Sequence, residues 1–319
     1  MIDKDATMAD TGEVVVPDVT VIMVSYNTRE LTVTALETLF ANAGDVAMRV
    51  VVWDNDSHDG SADAIAARFP DLELIRSAEN VGFSRANNAI AETATTDWLL
   101  LLNPDTETYP RAVENILAFG KAHPEAGIVG GRTVFPDGSL NIASCWNTMS
   151  LWSLFCSATG LARVFVNSPF FNREGIGGWK RDTVRQVDVV VGCFMLVPTA
   201  LWRKLGGFSP RYFMYGEEHD LCLRAAQLGY RPMITPDAQI MHLVGAASAK
   251  REDKILRLMR SKATLIRDHW QGLRIPAGIA MLWLWIAVRR AGSLVKGKAE
   301  DKARWAAIWG KRSEWLKGY

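Results

Sequence analysis

Residues 98–102, Trp98-Leu99-Leu100-Leu101-Leu102, form an unbroken apolar run that is too short for a typical helix and ends at Asn103-Pro104-Asp105. A run of this length, bounded by a turn signal, reads as a strand buried on both faces, as in the middle of a mostly parallel sheet. Proline has no N–H with which to extend a ladder, so Asn103-Pro104 stops the strand and leaves Asp105 just beyond its carboxyl end. Open α/β sheets bind their ligands at that edge. One carboxylate combined with substrate phosphates is a usual way to hold Mg²⁺. Taken alone, an Asn-Pro-Asp turn without a ligand explains these residues equally well.

The rest of the chain repeats a strand–helix rhythm around this run. Residues 19–24 read as a buried strand ending in Ser25-Tyr26-Asn27, after which Thr28 can cap a helix with Leu31, Ala35, Leu36 and Leu39 on its buried stripe. Residues 49–53 form a second strand, which runs into Asp54-Asn55-Asp56-Ser57-His58-Asp59-Gly60-Ser61. Residues 72–76 form a third, which precedes Asn80-Val81-Gly82-Phe83-Ser84-Arg85-Ala86-Asn87-Asn88 and a helix to about residue 93. A helix over 111–122 and a short strand over 127–130 follow the opening run. This alternation predicts an α/β fold of βαβ units, with right-handed crossovers and helices on both faces of the sheet.

After residue 131 the rhythm breaks. Residues 146–171 are apolar and aromatic without a clean period and predict a loop-rich, partly helical insertion. A long strand over 184–197, a helix over 199–205, a helix opened by Glu217-Glu218-His219-Asp220 and two short strands near 231–234 and 239–242 complete the body. Residues 1–18 are polar and acidic, lack the apolar core of a signal peptide, and read as a disordered leader.

At 319 residues the chain suits one large domain with an appendage, and 49% hydrophobic residues suffice for a large core. The net charge of +1 hides an asymmetry, since residues 289–319 hold nine Lys/Arg against three Asp/Glu and the remainder holds 27 against 32. A basic tail on an acidic body is expected to meet an anionic surface. No recognised nucleic-acid-binding motif accompanies the charge, so no nucleic-acid partner is expected. Residues 275–288 are free of charge but fall short of the roughly 20 needed to span a bilayer. Two readings stay open for this basic, Trp-bearing extension: an interfacial membrane helix, or a helical pair packed on the body. Cys145, Cys156, Cys193 and Cys222 show no C-x-x-C pair or zinc-type spacing and read as reduced thiols in a cytoplasmic setting.

Asp54, the segment 80–88 and Asp105 all follow strands and would lie along one sheet edge, where they could converge on one ligand. Backbone N–H groups around Gly82 and Ser84, at a helix start, could face phosphate. Neither a G-x-x-x-x-G-K-[ST] nor a G-x-G-x-x-G pattern occurs.

Five segments carry a resemblance: Val-Ser-Tyr-Asn (24–27), Asp-Asn-Asp-Ser-His-Asp-Gly-Ser (54–61), Asn-Val-Gly-Phe-Ser-Arg-Ala-Asn-Asn (80–88), Leu-Asn-Pro-Asp-Thr (102–106), and Gly-Gly-Phe with Met-Tyr-Gly-Glu-Glu-His-Asp-Leu-Cys-Leu-Arg (206–224). In this order they resemble the bacterial family 2 glycosyltransferases, above all the rhamnosyltransferase-like branch, over residues 19–270. The resemblance implies the GT-A fold, a Rossmann-like and mostly parallel sheet with helices on both faces, plus a C-terminal helical extension at 271–319. It implies a nucleotide-binding half at 19–131 and an acceptor-side half at 132–270. It further implies an inverting transfer from a nucleotide-diphosphate sugar, such as a dTDP- or UDP-sugar, with Mg²⁺ or Mn²⁺. L-Rhamnose is one donor sugar of the branch, and the acceptor would be prenyl-linked or a growing cell-surface glycan at the inner face of the cell membrane.

Position by position, Ser25, Tyr26 and Asn27 resemble the loop against the base and ribose, and Asp54 the carboxylate that reads the base. Asn80, Gly82 and Arg85 resemble the segment near ribose and diphosphate, Arg85 being a natural phosphate partner. Asn103 and Asp105 stand where the family has Asp-x-Asp, so one carboxylate of the metal site is replaced by an amide. His242 resembles a histidine that reaches the metal or diphosphate. Glu217-Glu218 stands where the family has Glu-Asp. Glu218 is therefore the first choice for the general base, with Glu217 and Asp220 behind it. A catalytically inactive sugar-nucleotide-binding module and a nucleotidyltransferase are the competing readings.

Overall fold

The computed structural model describes residues 7–8, 14–15, 17–243 and 251–319. Most of the expected leader, and residues 244–248 of the segment after His242, lie outside the described residues. Within the leader, Thr7–Met8 pairs antiparallel with Val14–Val15.

The main sheet is built from Val19–Ser25 (β1), Met48–Asp54 (β2), Glu73–Arg76 (β3), Trp98–Leu102 (β4), Thr106–Thr108 (β5), Val129–Val134 (β6), Phe194–Pro198 (β7) and Met233–His242 (β8). Its order runs from the short edge strand Arg185–Gln186 through β8, β6, β7, β4, β1 and β2 to β3, with β5 paired to β8 off this path. β1 is parallel to β2 and β4, β2 to β3, and β8 to β6. β7 runs antiparallel between β4 and β6. The sheet is therefore mixed, with its parallel part on the side of β1 to β4.

All seven residues of β1 and four of the five in β4 are buried, so both faces of the sheet centre are covered. Side chains alternate between faces along a strand. Val19, Val21, Met23, Leu100 and Leu102 pack with Leu36 and Leu39 of the helix Arg29–Asn42 (α1) and Ile116 of the helix Ala112–Ala122 (α4). Phe83–Thr93 (α3), which follows the short helix Ser61–Arg68 (α2), packs against β1 and β2. This is the α/β GT-A arrangement that the resemblance implied.

The long strand expected over 184–197 is three separate pieces, Arg185–Gln186, Val189–Val190 and Phe194–Pro198, because each finds a different partner and a turn at Gly192-Cys193 divides the last two. The two strands expected near 231–234 and 239–242 are one, β8, with its register on β6 shifted between Thr235 and Gln239. Sequence patterning saw that irregularity as a break.

The chain gathers into two compact units that interleave along the sequence, where sequence reading laid out consecutive blocks. The first comprises Met1–Cys145, Lys180–Phe213 and Leu221–Ala247 and holds the main sheet, together with the helix Thr199–Leu205 (α6). The second comprises Trp146–Trp179, Met214–Asp220 and Ser248–Tyr319. It is helical, with Leu151–Thr159 (α5), the first turn of Glu217–Gln227 (α7), Arg251–His269 (α8), Arg274–Lys296 (α9), Ala299–Gly310 (α10) and Arg312–Lys317 (α11). Ser150 and Ser153 cap α5 reciprocally.

The charge-free window of 14 residues understates α9. The helix continues through Arg289 and Arg290 to 23 residues, and with a mean hydropathy of 1.3 over its most apolar stretch it is long and apolar enough to cross a membrane by length and composition. Its inward residues Gly278, Leu282 and Ile286 are buried, and it packs on α5, α8, α10 and α11 of its own unit. Trp315 of α11 is fully buried, with Nε1 donating to Ile308 O at 2.9 Å.

These C-terminal helices pack together within the second unit through a few buried residues, Leu282, Ile286, Ile308 and Trp315 among them. Trp315→Ala is expected to cost ~3–5 kcal/mol, read as a lower urea midpoint, because it removes a large buried ring that the site cannot collapse to replace. Removal of 275–319 should unfold the second unit. An unchanged midpoint in either variant would show that the helices are dispensable.

Candidate functional site

In the first unit, three loops leave the carboxyl ends of β1, β2 and β4. Ser25 ends β1 opposite Asp54, the last residue of β2. Ser25 Oγ lies 3.1 Å from Thr28 Oγ1 and 3.0 Å from Thr32 Oγ1, wholly buried, so it braces the start of α1 and presents nothing outward. Asn27 holds a positive φ of 52° and staples two loops: its N–H donates to Ser57 Oγ at 2.9 Å, and its Oδ1 accepts from His58 N at 2.8 Å. Tyr26 stands exposed between them.

Asp54 is 4% exposed. Its Oδ2 accepts from Ser57 N at 3.1 Å, whereas Oδ1 is buried with no hydrogen-bond partner. Buried carboxylate oxygens are seldom left so, because the lost hydration is not returned. Asp54 therefore has one lone-pair face available for a ligand.

Asn55, given no role from sequence, organises the next loop. Its Nδ2 donates to Asn80 Oδ1 at 3.0 Å, while its Oδ1 accepts from Val81 N at 2.9 Å. Asn80 Oδ1 also accepts from Gly82 N at 3.0 Å. Asn80 is thus occupied in shaping the loop that sequence reading had it offer to a ligand. Gly82, at φ 83°, must be glycine for a second reason, since a Cβ would stand 2.7 Å from Phe213 O. That same carbonyl accepts from Phe83 N at 3.0 Å and so ties the start of α3 to the segment after α6. Arg85 is exposed on the first turn of α3, and Ser84 Oγ is buried without a partner. Asn88 braces α3, exchanging hydrogen bonds with the backbone N–H and C=O of Phe208 at 2.9 and 2.8 Å.

Past β4, Asn103 N donates to Cys193 O at 3.1 Å, and Asn103 O accepts from Thr106 Oγ1 at 2.7 Å. Asp105 Oδ1 lies 3.3 Å from His242 Nε2, both side chains being almost fully buried. Register explains the pairing: β5 runs antiparallel to β8 with Thr106 opposite His242, and Leu243 N donates to Asp105 O at 3.1 Å. Burial opposes the charged imidazole, but Cys193 and the Asp105 carboxylate outweigh it and raise the His242 pKa to about 10. His242 Nδ1 has no hydrogen-bond partner. Among the described residues no three His, Cys, Asp or Glu side chains cluster as a complete metal cage. One carboxylate and one imidazole fit a divalent cation that takes the rest of its shell from phosphate and water, provided the metal displaces the proton that His242 otherwise carries.

In the second unit, Tyr215 and Gly216 both take positive φ, 71° and 92°, with Ser261 Oγ donating to Tyr215 O at 2.5 Å. This turn delivers the first residues of α7. Asp220 Oδ1 is 2.9 Å from His269 Nε2, so one oxygen of this candidate base is engaged by a histidine of α8. Glu217 and Glu218 each have a buried Oε2 with no partner. Burial, then the adjacent Glu218 charge, holds the Glu217 carboxyl well above the usual range, and burial also pushes Glu218 upward. Burial and the nearby Lys262 ammonium keep His219 neutral, with its pKa lowered to about 4.

The family model for glycosyl transferase family 2 matches residues 20–183. The chain belongs to that family. The relatives of this family 2 protein include the N-acetylglucosaminyl-diphospho-decaprenol L-rhamnosyltransferase of Mycobacterium tuberculosis, 28% identical over an alignment of 209 residues that covers 60% of this chain and 66% of the relative. Rhamnosyltransferase WbbL of Escherichia coli is 43% identical over 61 residues, covering 19% of this chain and 22% of that protein. Among solved structures, mannosyltransferase PcManGT of Pyrobaculum calidifontis, in complex with GDP-Man and Mn²⁺, aligns over 94% of this chain and 83% of its own at a TM-score of 0.55 and 20% identity. S. aureus TarS 1–349 in complex with UDP-GlcNAc aligns over 94% and 81% at a TM-score of 0.54 and 16% identity.

The buried glutamate pair has a measurable consequence. A carboxyl whose pKa is raised by folding destabilises the native state above its unfolded pKa, since the native protein must give up a proton it holds more tightly. Glu217→Gln is therefore expected to raise the melting temperature at neutral pH, and the gain should shrink as pH falls toward the ordinary glutamate value of 4.5. A pH-independent change would sink this account.

Proposed function

We propose that this family 2 protein is an inverting glycosyltransferase that moves a sugar, with L-rhamnose the first to test, from a nucleoside-diphosphate donor to a lipid-linked or growing cell-surface glycan. The observation that carries the reading is the unpartnered, buried Oδ1 of Asp54, held at the carboxyl edge of a parallel sheet beside the loop that presents Tyr26. A carboxylate so placed can accept from the ring N–H of a uracil or thymine base. Tyr26 offers a ring face for the base, and Arg85 a guanidinium for phosphate. Ser25, Asn27 and Asn80 act through the loops they brace, while Gly82 lets the backbone approach closely.

Asp105 and His242, with the Asn103 amide alongside, would hold Mg²⁺ or Mn²⁺, which when bound neutralises charge on the leaving diphosphate. Glu218 takes the proton from the acceptor hydroxyl as that oxygen attacks the anomeric carbon. Glu218 is the first choice over Glu217 because it stands where the family's Glu-Asp pair has its second acid, and burial raises the carboxyls of both members of the pair. Asp220 positions the helix start through His269. The mycobacterial relative is named for a decaprenyl-linked acceptor. A prenyl-linked acceptor lies in a membrane, so we place the enzyme in the cytoplasm at the inner face of the cell membrane.

A panel of dTDP-, UDP- and GDP-sugars with Mn²⁺ or Mg²⁺ should contain one that raises the melting temperature, because a ligand of the native state stabilises it by mass action. With that donor, Glu218→Gln should lose about 100-fold or more in turnover while keeping donor binding. Asp105→Ala should lose turnover together with the metal-dependent part of the donor's stabilisation. Asp54→Ala should weaken donor binding by about tenfold. Donor binding without turnover in the unaltered protein would return the reading to an inactive binding module, and no stabilising donor would overturn it altogether.

A further inference from the structure

The second unit carries an aromatic surface that includes none of the candidate donor, metal or base residues. Phe165 is 45% exposed, Phe170 62% and Val164 72%, with Trp152, Phe155 and Val166 exposed beside them. These residues are held in place. Trp152 stacks on Phe155 with ring centroids 5.7 Å apart and meets Phe170 at 4.9 Å, and Phe165 stacks on Phe171 at 4.7 Å. Trp152 Nε1 donates to Phe170 O at 2.8 Å. An ordered apolar patch kept in contact with water marks an interaction surface.

Charge says what covers it. Residues 146–173 contain no Asp or Glu, and neither do residues 269–299, which include all of α9. α9 packs on α5, and Arg289 Nη2 donates to Ser157 O at 3.2 Å. Arg163, exposed next to Val164, is close enough to Arg289 for the two guanidinium charges to repel, adding to burial in lowering the Arg289 pKa. Two cations held near each other, at the edge of exposed rings and without an acid in either segment, lack a counter-charge from those segments. A second copy of the chain docking through the same face would set these cations against their own images, which like-charge repulsion disfavours.

We propose that the aromatic cluster of residues 152–170, together with Arg163 and Arg289, is a docking face for an anionic lipid bilayer. Aromatic side chains sit in the headgroup region, where their rings leave water without entering the acyl core. Arginine stems reach from the same depth to lipid phosphates. The rings and Arg163 belong to the insertion between β6 and β7 and Arg289 to α9, so this proposal centres the membrane contact on the insertion and the α9 side chain beside it. It stands whether or not the protein transfers sugar.

The test is co-sedimentation of the full chain with vesicles of phosphatidylcholine alone, or of phosphatidylcholine and phosphatidylglycerol in equal parts. Binding is expected only to the anionic vesicles and should weaken as salt is added. The double substitution F165S/F170S should reduce partitioning about tenfold or more through lost apolar contact. Arg163→Glu should reduce it about fivefold or more, and as a surface charge change it remains informative if the double variant fails to fold. Equal binding to both vesicle types, wild-type binding by both variants, or a change confined to oligomeric state would each overturn the proposal. Donor-induced thermal stabilisation should be unaltered in Arg163→Glu, so failure here is distinguishable from failure of the transfer reading.

Discussion

The strand β4 is gripped from both sides, and the candidate donor site depends on that grip. It runs parallel to β1 over Trp98 to Leu101 and antiparallel to β7 along its whole length. The four leucines are interchangeable between two buried faces, so the register is held by the ladders on both sides and by Trp98 and Asn103 at the two ends of the run. Its end is therefore fixed, and the hydrogen bond from Asn103 N to Cys193 O fixes the first residue of the turn. From there Asp105 and His242 come together by register alone, because Thr106 opposes His242 in the β5–β8 ladder. Two residues far apart in sequence are joined without any need of mutual attraction.

The polar residues near this edge divide by what they already bond. Ser25, Asn55 and Asn80 spend their hydrogen-bonding capacity on the loops, and Asn27 uses both its backbone N–H and its side-chain oxygen to tie two of them. Asp54 Oδ1 and Ser84 Oγ in the first unit, and Glu217 Oε2 and Glu218 Oε2 in the second, are buried without partners. A polar atom left this way costs stability unless something else answers it. The division separates residues that shape a site from those with capacity left for a ligand, which a motif match cannot do because both kinds sit in the same motif.

The parallel strands were legible because a strand covered on both faces must be apolar at consecutive positions, and β1, β2 and β4 are. The β7 and β8 region was not, since its strand limits follow from which neighbour each piece meets, and an irregularity in register looks like a turn in sequence. α9 was misjudged because charge-free length was taken as helix length, although arginines can sit within a helix when their heads reach water or, like Arg289, a carbonyl. Asp54, Asp105 and the glutamate pair could be named from sequence as candidates. That Asp220 pairs with His269, 49 residues away, could not.

The three acids at the start of α7 show why such a site must be supported from elsewhere. A helix N-terminus favours negative charge by a fraction of a kcal/mol to about 2 kcal/mol, which is too little to offset burying several carboxylates. Asp220 has His269 as a partner, whereas Oε2 of both Glu217 and Glu218 is buried without one, and burial raises both pKa values. The turn at Tyr215-Gly216 is also strained, and Ser261 of α8 holds it. Strain and unanswered charge persist only where surrounding packing over-determines the backbone. Here α8 supplies His269 and Ser261, and α11 packs against α8 with the wholly buried Trp315. The C-terminal helices thus keep two uncomfortable carboxylates in place, a condition under which a carboxylate becomes a stronger base than one in water.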